Sequence, residues 1–286
     1  MEITKTMAIY FSPTTNTRRM TLAAAKGVAS VFGTQLHFKN WARPRMREQD
    51  TVFDSQTLAV VGMPTYAGRL PNLIAPSLKA HLKGNKTPAI AVVTYGNRDY
   101  ENSLAELVDL LSNNGFIVVA ALAAPCAHAF ADIGTGRPSD QDLMDAIVFG
   151  QQVGVNLGQV EYERQLKRVA VPGDPAAPYY RPLKADGTPA NFLKAKPEVD
   201  AEKCTGCSLC VRLCPMGSVS INPVSGKAEI HGVCIKCQAC LRGCEPGALS
   251  FTDPEFLAHK AMLEANYTEK KDAAVFPFII DTDESI

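Results

Sequence analysis

Apolar positions in the first half of the chain fall into short runs separated by longer amphipathic stretches. The runs at 5–11, 35–38, 58–63, 89–93 and 116–122 are rich in Val, Ile and Ala. Runs of this length and content suit strands buried on both faces. Between the first two, residues 17–31 space Met20, Leu22, Ala23, Ala24, Val28 and Val31 as one face of a helix. Residues 73–82, 103–113 and 140–157 fit further helices. Alternation of strand and helix predicts an α/β fold, a doubly wound five-stranded parallel sheet with right-handed crossovers. In the strand order 2-1-3-4-5, ligands bind at the carboxyl ends of the strands.

Beyond about residue 158 the pattern changes. Prolines at 172, 175, 178, 182, 189 and 197 exclude a helix or a central strand over 159–198. One reading is a flexible tether. The preferred one is a semi-rigid strap packed on both neighbours, because Tyr179, Tyr180, Phe192 and Leu193 call for burial. Residues 199–221 and 229–251 repeat at an offset of thirty, with four cysteines coinciding. An amphipathic helix is expected over 254–271. After it comes an apolar tail, 275–280, that would aggregate unless docked on the body. The expected organisation is an α/β unit over 1–158, a strap over 159–198, the cysteine-rich unit over 199–253, and a helix with a docking tail over 254–286.

Lys and Arg number 29, as do Asp and Glu, so the formal charge is zero. No positive excess favours nucleic acid, and no apolar run reaches the roughly 20 residues of a membrane span. The amino terminus lacks a basic start followed by a long apolar stretch, so no signal peptide is expected and the reading is cytoplasmic.

Eight of nine cysteines lie between 204 and 244; the ninth is Cys126. Cys204, Cys207, Cys210 and Cys214 form a C-x2-C-x2-C-x3-C run, repeated by Cys234, Cys237, Cys240 and Cys244. This is the spacing that holds cubane iron–sulfur clusters, with the fourth cysteine of each run crossing to the other cluster. Cys204, Cys207, Cys210 and Cys244 are therefore assigned to one 4Fe–4S cluster. Cys234, Cys237, Cys240 and Cys214 are assigned to a second. A zinc knuckle would need longer spacers between pairs, and a disulfide knot an oxidising compartment.

Ser12, Thr14, Thr15, Asn16 and Thr17 follow the first strand and open the first helix. Hydroxyls and an amide at a helix N-terminus suit a phosphate, although Ser and Thr also serve as simple caps. Pro64, Thr65, Tyr66, Ala67 and Gly68 follow the third strand, and Tyr95, Gly96, Asn97 and Arg98 the fourth. Both loops offer a Gly for close approach and a Tyr for stacking on a flat ring. Together the three loops point to FMN.

These residues resemble the flavodoxin family over roughly 1–158, and 199–251 resemble bacterial two-cluster ferredoxins. The combination is similar to flavodoxin–ferredoxin fusion proteins of anaerobes. The resemblance implies FMN held at its phosphate by Ser12, Thr14, Asn16 and Thr17, with residues 64–68 and 95–97 around the isoalloxazine. It implies electron transfer between low-potential redox proteins, a donor and an acceptor, in anaerobic metabolism. A second hypothesis is a flavin-dependent reductase whose small-molecule acceptor binds over the FMN. No Ser-His-Asp set or paired catalytic carboxylates are apparent, so no catalytic residue is assigned.

Some positions are open. Thr15 stands where the family loop usually carries Gly, so either its backbone is unstrained or FMN sits more weakly. Arg98 lies either beside the flavin pyrimidine edge or in solvent. Cys126 reads as a free buried thiol in preference to a redox group, and His128 as a structural histidine in preference to one lining the cofactor cleft. Glu245, next to Cys244, is expected to point to water.

Overall fold

A computed structural model describes residues 1–280. The α/β unit runs β1 (Lys5–Tyr10), α1 (Asn16–Phe32), β2 (Leu36–Asn40), α2 (Pro44–Arg47), β3 (Thr51–Phe53), β4 (Thr57–Pro64), α3 (Ala75–His81), β5 (Leu82–Gly84), β6 (Thr87–Tyr95), α4 (Ser103–Asn113), β7 (Phe116–Pro125) and α5 (Asp140–Gly158). The rest comprises β8 (Glu198–Val199), α6 (Leu209–Leu213), β9 (Val219–Ile221), β10 (Ala228–Ile230), α7 (Ala239–Arg242), β11 (Leu249–Ser250), α8 (Pro254–Asn266) and β12 (Ala274–Phe276).

The main sheet has the order β12-β7-β6-β4-β1-β2. Its five parallel strands follow the doubly wound order 2-1-3-4-5. Residues alternate across it. Ala8, Val60, Ile90 and Val92 face α1 and α5, while Ile9, Val61, Ala91 and Val93 face α3 and α4. Burial on both faces is why these strands read as near-continuous apolar runs. Helices α1 and α5 touch backbone to backbone. A Cβ on Gly27 would lie 2.0 Å from the Ile147 carbonyl oxygen, and one on Gly150 equally close to that of Ala24.

Four features depart from the sequence reading. The apolar tail adds an antiparallel sixth strand, with Ala274, Val275 and Phe276 opposite Ala123, Leu122 and Ala121. Phe278 then enters the α1/α5 core, and residues 281–286 of the expected docking tail lie outside the described residues. Strands β3 and β5 form a small parallel pair that periodicity missed because each is only 3 residues long. Helix α8 stops at Asn266, five residues short of the expected end, and the chain turns toward the sheet edge.

The fourth departure is in the strap, where Leu193 is 92% exposed rather than buried. Its carbonyl, not its side chain, is used, accepting from Lys236 Nζ at 2.7 Å. Otherwise the segment is sewn to both sides. Tyr179 donates to the Leu70 carbonyl at 2.7 Å, and Tyr180 N–H to that of Ala67 at 2.8 Å. Arg69 donates to the carbonyls of Pro175 and Ala177. On the other side Phe192 packs on Phe256 and His259 of α8.

Candidate functional site

A cavity of about 230 Å³ opens at the carboxyl ends of the parallel strands. Its floor is built by the three loops singled out in the sequence: Thr14, Asn16 and Thr17; Pro64, Thr65, Tyr66, Ala67 and Gly68; and Tyr95, Gly96 and Arg98. At the first loop, Thr15 caps α1 with no side-chain hydrogen bond to the helix, and the first turn holds no acidic residue. Ser12 does not line the cavity; its Oγ accepts from Arg18 N–H at 3.0 Å. A helix N-terminus with no side-chain cap from Thr15, its Arg18 amide met by Ser12, and no acidic residue in the first turn fits a phosphate. Thr15 has φ 72°, a left-handed backbone. The loop therefore adopts the turn that Gly usually supplies, with a β-branched residue bearing the strain.

Two predicted side chains are engaged elsewhere. Asn97 is buried and donates from Nδ2 to the carbonyls of Tyr267 at 2.8 Å and Glu269 at 2.9 Å, so it anchors the segment after α8 instead of lining the cavity. Tyr95 packs on Tyr100, and its hydroxyl donates to the Asp272 carbonyl at 3.4 Å. Burial pushes its phenol up to about 12. That leaves Tyr66 as the aromatic ring of these two loops without a tie to the tail. Its phenol is raised well above the ordinary range, first by burial and then by Cys237 and Cys234.

The roof was not foreseen. Phe130, Tyr180, Pro182, Phe192, Ile235, Lys236, His259 and Leu263 close over the loops. Arg98 pairs with Glu101 at 2.6 Å and stacks 3.9 Å from the Tyr180 ring centroid, so it is held beneath the strap instead of ranging in solvent. His128 also lines the cavity. Its Nδ1 accepts from the N–H groups of Phe130 at 3.3 Å and Ala131 at 3.1 Å, which places its proton on Nε2. Burial lowers its pKa to about 3, so it is neutral. A Cβ on Gly96 would sit 2.1 Å from His128 Cδ2, so the imidazole is seated directly on the third loop. His259 bonds the Leu183 carbonyl through Nδ1 at 2.8 Å. The signal for it was the spacing of Phe256, His259 and Leu263 along one helix face. Cys126 lines the cavity too, as a buried thiol pushed up to about 12 by burial.

The eight clustered cysteines line two smaller cavities. Cys204, Cys207, Cys210 and Cys244 surround one, and Cys214, Cys234, Cys237 and Cys240 the other. None is in a disulfide. Gly206 and Ser208 in the first loop, and Lys236 and Gln238 in the second, all have positive φ. Successive turns of this kind aim backbone N–H groups at an anionic centre. Sulfurs accept from such groups: Cys214 from Ser218 and Cys244 from Ala248, both at 3.3 Å, and Cys234 from Lys236 at 3.3 Å. Four soft thiolates around a void, fed by N–H donors, fit an iron–sulfur cluster. Burial drives Cys237 and Cys240 up to about 12, a desolvation cost that bound iron would offset. Glu245 is exposed.

The two kinds of site adjoin. Ile235 and Lys236 stand between Cys234 and Cys237 in the chain and line the large cavity. Buried Arg47 of α2 donates to the carbonyls of Trp41 at 3.2 Å and Pro215 at 2.6 Å, tying the α/β unit to the residue after Cys214.

Residues 203–249 match a family model described as a 4Fe–4S dicluster domain. An uncharacterized protein of Methanocaldococcus jannaschii is 41% identical over 63 residues, 22% of this chain and 24% of its own. NAD(P)H-quinone oxidoreductase subunit I of Gloeobacter violaceus is 26% identical over 135 residues, 44% of this chain and 60% of its own. The chain thus spans about a quarter and three-fifths of the length of these two curated relatives. Among solved structures, a flavodoxin from the domain Archaea is similar over 54% of this chain and 99% of its own, at 15% identity and a TM-score of 0.37. Strand order and the family match together show a flavodoxin-like α/β fold followed by a segment that matches a 4Fe–4S dicluster domain over 203–249. Among the described residues no helix is long and apolar enough to cross a membrane.

Proposed function

We propose that the chain conducts electrons between two 4Fe–4S clusters and FMN, linking a redox protein donor to a redox protein acceptor in a cytoplasmic, anaerobic setting. Cys204, Cys207, Cys210 and Cys244 hold the distal cluster; Cys214, Cys234, Cys237 and Cys240 hold the proximal one. FMN takes the large cavity. Its phosphate lies at the start of α1 among Thr14, Asn16 and Thr17, and its ring between residues 64–68 and 95–98.

The carrying observation is the shared wall, since the chain between Cys234 and Cys237 lines the same cavity as the three loops. Clusters exchange single electrons and a flavin holds one or two, while the protein sets distance and potential. The strap supports a fixed distance. Arg69 and Tyr179 clamp it to the α/β unit, and Lys184 pairs with Glu255 of α8 at 3.3 Å.

Anaerobic purification with iron, sulfide and flavin analysis tests this reading. Two clusters predict about eight irons per FMN. Zinc, about four irons, or iron without flavin would refute it.

The roof favours a second reading. Tyr180, Phe192 and His259 cover the cavity, so an enclosed flavin would deliver electrons to a small acceptor entering beside it. Saturable oxidation by a small acceptor that competes with a flavin-site ligand would support the reductase; oxidation only by redox proteins would support the carrier.

A further inference from the structure

We propose that His128 binds the flavin, its Nε2–H donating a hydrogen bond to a carbonyl oxygen of the isoalloxazine. The inference rests on the cofactor reading above and adds a residue from outside the three loops.

Two sides of the imidazole are taken. Nδ1 accepts from the N–H groups of Phe130 at 3.3 Å and Ala131 at 3.1 Å, so the ring proton is on Nε2. The opposite side rests on the third loop, where a Cβ on Gly96 would come within 2.1 Å of Cδ2 and 2.7 Å of Cγ. What remains to line the cavity is the tip that carries Nε2. Among the described residues the sealed side-chain atoms without a partner are Trp41 Nε1 and Asn97 Oδ1. His128 Nε2 also meets no acceptor among the described residues, yet it is not sealed, so it opens on the cavity its residue lines.

The ring is held in this pose. Phe130 stands perpendicular to it with centroids 4.4 Å apart. His128 N–H donates to the Ile133 carbonyl at 3.0 Å. The carbonyls of His128 and Ala129 accept from Arg242 Nη2 at 2.8 Å and 3.0 Å.

Other nitrogen side chains on the cavity wall are engaged within the protein. Asn16 donates to the Ala127 carbonyl at 3.1 Å, Arg98 to Glu101 at 2.6 Å, Lys236 to the Leu193 carbonyl at 2.7 Å and His259 to the Leu183 carbonyl at 2.8 Å. An N–H that loses water to a ligand without gaining an acceptor is costly, so the occupant of this cavity must supply one. The phosphate takes the start of α1, whereas His128 sits on Gly96, in a loop assigned to the ring. The ring's acceptors there are its carbonyl oxygens. The imidazole is neutral at pH 7, so the bond brings no charge into the cavity. Hydrogen bonds to charged acceptors are the stronger ones. Reduction places negative charge on the ring system, so this bond favours the reduced flavin.

Two variants separate the donor from the loop support. An asparagine side chain reaches as far as Nδ1 and a glutamine as far as Nε2. His128→Asn therefore keeps an acceptor for the loop and loses the donor, while His128→Gln keeps a donor within reach. The holoprotein is loaded with FMN carrying heavy carbon at the C2 or the C4 carbonyl, and its infrared spectrum is read beside a redox titration of the flavin. His128→Asn should move one labelled carbonyl stretch to higher frequency and weaken reduction about tenfold, a fall of about 30 mV in the two-electron midpoint. His128→Gln should return both toward the wild type. Labelled bands that stay in place, or a midpoint that rises, would overturn the proposal. If the asparagine variant takes up no flavin, 2-fluorohistidine at position 128, a stronger N–H donor of nearly equal size, decides alone. It must move the same band to lower frequency, and an unmoved band overturns the proposal. Failure of the cofactor reading shows separately, in the wild-type iron and flavin content.

Discussion

Arg47 Nη2, in α2 of the α/β unit, donates at 2.6 Å to the carbonyl of Pro215, the residue after Cys214. The guanidinium is buried. Burial lowers its pKa, while Glu48 and Cys214 oppose that shift. A buried cation must be paired or hydrogen-bonded to be tolerated, and here the Trp41 and Pro215 carbonyls serve. Arg47→Met should lower the midpoint of the proximal cluster, because a positive charge beside it is lost. It should also cost about 1–3 kcal/mol, because the Pro215 and Trp41 carbonyls lose their donor. Redox titration and anaerobic denaturation measure both; an unmoved midpoint would show that the charge is not felt.

His128 predicts a pH dependence. Its folded pKa is about 3, depressed mainly by burial and then by His259, Arg98 and Arg242. The unfolded chain takes up this proton near pH 6.5, well before the folded one. Stability is therefore greatest above that value and falls with acidification, by up to about 1.4 kcal/mol per pH unit. Lowering the pH from about 7.5 to about 5.5 should remove on the order of 1 kcal/mol by this route. Denaturation curves should show the slope, and His128→Gln should flatten it.

Thr15 bears left-handed backbone strain at the start of α1. Such strain costs of order 1–3 kcal/mol, whereas Gly costs roughly 0.5–1 kcal/mol in entropy. Thr15→Gly should therefore gain about 1 kcal/mol by chemical denaturation and retain flavin better through gel filtration. A loss of stability would show that Thr15 is not strained.

Phe278 is 2% exposed, and its carbonyl accepts from Asn156 Nδ2 at 2.9 Å. Phe278→Ala should cost about 3–5 kcal/mol, the usual range for a large core aromatic. Because Asn97 ties the third loop to the same terminal segment, flavin should also be released more readily. Thermal denaturation and flavin retention check the two effects.

What was legible in the chain was local. The helix at Ser103–Asn113 begins and ends where its apolar spacing does, and the buried runs of β4 and β6 announce strands covered on both faces. Cysteine spacing is likewise a local signal. What escaped was made by distant partners. The run at 275–280 showed a need for burial, but nothing in it pointed to Ala121–Ala123 as the strand it would join. Arg43, Arg45 and Arg47 look alike as a basic cluster, and packing against Pro215 alone singles out the third. Leu193 misled because hydrophobicity was taken as demand for burial, whereas its backbone carbonyl is the group employed.

The central claim is that clusters and flavin on one chain exchange electrons directly. A one-electron pulse delivered anaerobically to the oxidised holoprotein, with cluster and flavin absorbance followed in time, tests it. Cluster bleaching followed by flavin reduction, at a rate independent of protein concentration, is the predicted result. Flavin reduction that scales with protein concentration, or that persists unchanged in Cys237→Ala, would mean that electrons travel between molecules or bypass the clusters, and would contradict the account.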